Sequence, residues 1–108
     1  EEISPPNLVK NTTRVSWFVY VVKVKESVNR DRLAAILEEK GIPVRPYFAP
    51  IHLQPYMKTM FGYQPGDYPV TEDLGNRSLA LPFSGKMTEE EVVTVCQAMA
   101  DALVAAEK

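Results

Sequence analysis

Histidine and cysteine are almost missing from this chain of 108 residues, which has one of each, His52 and Cys96. A single cysteine excludes an internal disulfide, and one histidine with one cysteine is too small a ligand set for a structural zinc site. No apolar run approaches the roughly 20 residues needed to span a bilayer, and no signal-peptide pattern opens the sequence, which points away from a membrane. Excess positive charge is missing too: at a net charge of −2 the chain has no basic footprint, which argues against nucleic acid as a partner. There is also no glycine-rich phosphate loop, no serine elbow and no paired metal-ligand spacing. This usage suits a reducing compartment, and a cytoplasmic location is expected.

What remains has the composition of one folded domain. The opening stretch "EEISPPNLVKNTTR" lacks a methionine, and its Pro5-Pro6 pair and polar run read as a linker or irregular lead-in over residues 1–13, with the domain over residues 14–108. The simplest expectation is a piece of something longer. "RVSWFVYVVKV", Arg14 to Val24, is the strongest strand signal. Alternation places Val15, Trp17, Val19 and Val21 on one face and Phe18, Tyr20, Val22 and Val24 on the other. Since both faces are apolar, a doubly covered strand with Trp17 buried is expected.

Asn29 is an N-cap for a helix ending near Lys40 with Gly41 as its stop, and Leu33, Ile36 and Leu37 share its apolar face. Ile42 to Phe48 is extended and, with its prolines, an edge strand at best. Pro55 opens a short helix that Gly62 closes, "QPGDYP" is turn chemistry, Val70 to Ser78 is helix-like, and Leu79 to Leu81 is a short strand. Thr88 and Glu91 form a capping box for the last helix, whose stripe is Val92, Val95, Cys96, Met99 and Leu103. The order predicts an α/β sandwich, a small sheet with helices packed on it.

Few residues could carry chemistry. His52 sits in "GIPVRPYFAPIHLQPYM", where its imidazole could donate to phosphate or move protons. With no acidic orienter or nucleophile evident nearby, the sequence favours a structural histidine that ties down a proline-rich loop. Arg45 could grip a carboxylate or phosphate, or be a solvated cation at a strand edge. Tyr47 and Tyr56 could present hydroxyls, although packing under the loop is the commoner use. Cys96, on the apolar stripe, reads as a buried, inert thiol.

Taken in order, "SWFVYVVKV", "NRDRLAAILEEKGI", "VRPYFAPIHLQPYM", "GDYPVTEDLGNRSLALP" and "MTEEEVVTVCQAM" resemble the C-terminal small domain of the DegT/DnrJ/EryC1/StrS family. These are fold-type I, pyridoxal-phosphate-dependent aminotransferases that mostly act on nucleotide-linked keto-sugars. The likeness runs from Ser16 onward and departs at "LPFSGKMT", where the family often has a second proline in place of Ser84 or Gly85. It implies a small, mostly antiparallel sheet inside a larger homodimeric enzyme, with glutamate as amino donor. The Schiff-base lysine would belong to a large N-terminal domain of the same chain. No lysine here has that context, so no catalytic residue is expected in this fragment and the isolated chain should be inactive. The proline-rich loop would close over the active-site cleft, with Arg45, Tyr47, His52 and Gln54 holding the sugar nucleotide or the donor. Two other readings stay open at this point. One is a free-standing α/β binding or regulatory module, and the other is a lysine-less dehydratase or regulatory member of the same family.

Overall fold

The computed structural model describes residues 2–107. Four short strands, β1 (Ile3–Ser4), β2 (Tyr20–Val24), β3 (Arg45–Pro46) and β4 (Ser78–Leu81), form one sheet in the order β1-β2-β4-β3. Every neighbouring pair is antiparallel. The helices are α1 (Arg30–Glu39), α2 (Pro55–Phe61), α3 (Pro69–Arg77) and α4 (Glu89–Ala105), with a 3-10 turn at Ile51–Leu53.

Register decides where the core sits. Tyr20 pairs with Leu81 and Val22 with Leu79, so Tyr20, Val22 and Val24 share a face with Leu79 and Leu81. Helices α1 and α4 close over that face, and Val22, Val24, Leu33, Leu37, Val44, Leu79, Met99 and Ala102 are buried there. Removing each large side chain from water contributes about 1.5–3 kcal/mol, which makes this layer the main source of stability. The helix ends follow the sequence signals. The Asn29 side chain accepts from the Arg32 amide at 3.0 Å, and Gly41 leaves α1 with φ +77°. At α4 the Thr88 hydroxyl accepts from the Glu91 amide at 3.2 Å, while the Glu91 carboxylate accepts from the Thr88 amide at 2.8 Å.

Three expectations are corrected. The strand expected over Arg14 to Val24 exists only from Tyr20. Val19 would lie opposite Pro82, which has no N–H to donate, and β4 has ended by then. Trp17 therefore has no ladder to join and is 41% exposed, and Phe18 is more exposed still. In the stretch read as a lead-in, Ile3 and Ser4 pair with Val24 and Lys23 as an edge strand, and Pro5-Pro6 follows directly. Cys96 is exposed rather than buried. The N-terminal half of α4 overhangs the end of the sheet, so Val92 and Cys96 border an open apolar cleft with Tyr20, Leu81 and Phe83.

Candidate functional site

The proline-rich segment leaves the edge strand β3, turns at Ile51–Leu53 and enters α2 at Pro55. Prolines at positions 46, 50 and 55 fix φ along this path and remove amide donors, which holds the chain in an irregular course that no helix could follow. The segment packs on α3 and borders an open cavity of about 470 Å³. The loop contributes Tyr47, Phe48, Pro50, Ile51 and His52. Met57 comes from α2, Tyr63 and Tyr68 flank the Gln64–Asp67 turn, and Thr71, Leu74 and Gly75 come from α3. Gly75 is required for the close approach: a Cβ there would lie 2.8 Å from Pro50 Cδ and 3.1 Å from the Phe48 carbonyl oxygen.

His52 is 7% exposed, and its Nε2 lies 2.9 Å from Glu72 Oε1. Glu72, in the first turn of α3, also accepts the amide of Gly66 at 2.9 Å and 3.0 Å and that of Tyr68 at 3.3 Å. These bonds, the one from His52 first, hold its carboxyl below the ordinary carboxylate range even though partial burial acts in the opposite direction. The His52 ring stands edge-on to Tyr68 at 4.8 Å and to Tyr63 at 6.3 Å, and the two tyrosines are 5.7 Å apart. The neighbouring Tyr63 hydroxyl is the largest influence pushing the Tyr68 phenol above its usual value.

Two arginines lock α3 behind this cavity. Arg30 reaches from α1 to donate Nη1 to the carbonyls of Gly75, at 3.0 Å, and Ser78, at 2.9 Å, so it satisfies the C-terminal end of α3. Arg77 clasps Asp73 with two bonds of 2.6 Å and donates to the Val24 carbonyl at 3.2 Å, which ties α3 to the sheet.

Of the four residues expected to hold substrate, only Tyr47 and His52 meet in this cavity. Arg45 lies outside the lining, with its side chain 77% exposed and Nη1 bonded to Glu38 at 2.9 Å and to the Val44 carbonyl at 3.0 Å. Gln54 stands at the N-cap position of α2, without a side-chain capping bond and outside the lining, and Tyr56 is an exposed residue of α2. The acidic orienter not evident in the sequence is Glu72, and the signal for it is a carboxylate in the first turn of a helix that opens at the last proline of "QPGDYP".

The lining contains no lysine and no arginine. An aldehyde cofactor with a phosphate needs an amine to anchor the one and cations or free amides to hold the other, so this cavity by itself does not fit pyridoxal phosphate. Among the described residues no group of three potential metal ligands is gathered. Among the described residues no helix is long and apolar enough to cross a membrane.

The model of the DegT/DnrJ/EryC1/StrS aminotransferase family matches residues 1–100. The chain belongs to this family. Among curated relatives, it is 30% identical over 97 residues to the spore coat polysaccharide biosynthesis protein SpsC of Bacillus subtilis, covering 86% of this chain and 25% of that one. It is 29% identical over 90 residues to the GDP-perosamine synthase of Escherichia coli O157:H7, covering 83% and 23%. A DegT DnrJ EryC1 StrS aminotransferase structure from Brucella abortus superposes with TM-score 0.78 at 30% identity, over 94% of this chain and 26% of that one. The fold expected from the sequence, a small antiparallel sheet with helices on it, is thus the fold of DegT/DnrJ/EryC1/StrS aminotransferase family members. The chain spans about a quarter of the length of the curated relatives it matches.

Proposed function

We propose that this chain, with the edge strand β1 as part of its sheet, is the C-terminal domain of a cytoplasmic, homodimeric, pyridoxal-phosphate-dependent aminotransferase. The enzyme moves an amino group, with glutamate as donor, to a nucleotide-linked keto-sugar. The observation that carries this reading is the family match along nearly the whole chain. The names of two relatives, GDP-perosamine synthase and a spore coat polysaccharide biosynthesis protein, support a nucleotide sugar and a polysaccharide pathway. The cofactor supplies the carbanion chemistry when bound. Its lysine and its phosphate site belong to the large domain of the same chain, as the cation-free cavity here supports. The fragment alone is therefore inactive.

In this reading Tyr47 and His52 contribute a wall of the substrate cleft, while Arg45 and Gln54 act from its margin. The side chains of this domain bind and orient, and none of them takes a proton from the substrate. The experiment is His52→Asn, Tyr47→Phe and Arg45→Met in the complete enzyme, with steady-state kinetics for each substrate and single-turnover half-reactions. KM for the sugar nucleotide or glutamate rises about tenfold or more, as loss of a charged or neutral hydrogen bond of about 1–3 kcal/mol requires, with single-turnover rates retained. Unchanged kinetics in all three variants would refute a binding role. An enzyme without amino transfer to any keto-sugar would favour a lysine-less member of the family.

A further inference from the structure

The structure assigns Glu72 a task beyond the binding residues above. We infer that it is a positioning residue: one carboxylate holds the His52 ring and the turn before α3 together, and so sets the shape of the aromatic cavity. That this cavity receives substrate rests on the aminotransferase reading; the positioning itself is a property of this chain.

Two segments meet on the Glu72 side chain, which is 17% exposed. They are the 3-10 turn through His52, 20 residues away, and the adjacent turn into α3 through the amides of Gly66 and Tyr68. An ionised carboxylate only accepts hydrogen bonds. The ring nitrogen facing it, Nε2, therefore carries the hydrogen, which fixes both the ring plane and the tautomer. With the ring fixed, its edge contact places Tyr68, and Tyr68 places Tyr63. Without the carboxylate, nothing else among the described residues bonds the imidazole, and the Gly66 amide has no other bond. The glycine has φ +96°, which glycine adopts without steric penalty, so the bonds to Glu72 and not backbone strain order its amide. Because the ring nitrogen facing Glu72 is committed to it, a substrate meets here a rigid aromatic wall backed by negative charge. Such a wall suits the uncharged ring of a glycosyl or nucleoside group and not its phosphates.

The test uses the complete enzyme carrying this chain, with Glu72→Ala, Glu72→Gln and the distant control Asp101→Asn. Amide hydrogen exchange of the peptide covering residues 62–72 reads the turn, and kinetics read the cavity. In Glu72→Ala, exchange at this peptide accelerates about tenfold and KM for the keto-sugar substrate rises on the order of ten- to a hundredfold, the scale of a misplaced binding wall. The half-reaction with the amino donor stays within about twofold. Glu72→Gln, which keeps size and one acceptor oxygen, falls between, and it serves if the alanine variant does not fold. Exchange unchanged from the parent would overturn the inference, as would faster exchange with no rise in KM, which would make Glu72 structural only. Loss of the donor half-reaction would also overturn it by placing the carboxylate in the chemistry. If the parent transfers no amino group to a sugar, the aminotransferase reading fails, and the exchange measurement still decides the positioning.

Discussion

Gly75 of α3 touches the ring of Pro50 so closely that a single added carbon would sit 2.8 Å from Pro50 Cδ. Glycine inside a helix normally costs about 1 kcal/mol relative to alanine, so Gly75→Ala would stabilise an isolated helix. Here the added methyl must displace a proline ring and a backbone carbonyl, at about 1–3 kcal/mol for overpacking. The net sign is therefore reversed. Gly75→Ala is expected to unfold at lower urea than the parent, and a midpoint equal to or above the parent's would show that the 48–50 loop yields freely.

The exposed Trp17 gives a second prediction, opposite to the one its sequence invites. Trp17→Ala should change stability by less than about 1 kcal/mol, because the ring is 41% exposed and its close ring neighbour is Tyr20, at 6.1 Å. Leu79→Ala, at a position with 0% exposure in the central layer, should cost about 2–5 kcal/mol. Paired urea titrations of the two variants settle the order, and equal losses would place Trp17 in the core after all.

Acid stability follows from two carboxylates. Glu72 titrates below its ordinary 4.5 because of the His52 hydrogen bond first, and Asp73 below its ordinary 3.8 because of Arg77 first. Depressed folded values mean that the unfolded chain binds protons more readily. The stabilisation is therefore complete above these ordinary values and is lost as pH falls through the lower folded ones. Thermal midpoints should be flat near neutrality and decline below about pH 4.5, and the decline should be shallower in Asp73→Asn. An unaltered acid limb in that variant would remove Asp73 from the account.

Much of the frame was legible because its signals are local. Asn29, Gly41, Pro55, Gly62 and the Thr88–Glu91 box each fix a helix end within one turn, and each end is found where the sequence sets it. The strand before Tyr20 was misread because β-propensity says only that a segment could pair, whereas the length of β4 and the position of Pro82 decide whether it does. Cys96 was misread for a related reason: helical spacing gives a stripe but not how far the sheet beneath it extends. At the cavity, His52 and Tyr47 were legible as a loop rich in aromatics. Glu72 was hidden because its partners come from two separate segments, and the bond from His52 spans 20 residues. Arg30, which reads as an ordinary charge at a helix start, bridges 45 and 48 residues to the end of α3.

The capping box of α4 has an electrostatic side as well. The start of a long helix usually offers unpaired amides and a partial positive charge to any passing anion. In this chain the Thr88 hydroxyl accepts from the Glu91 amide, and the Glu91 carboxylate caps the Thr88 amide. Glu89 and Glu90 stand on the same turn. A phosphate drifting toward that end of the molecule meets a cluster of carboxylates instead of a cradle, so the longest helix of the domain acts as a fender that turns anionic groups away.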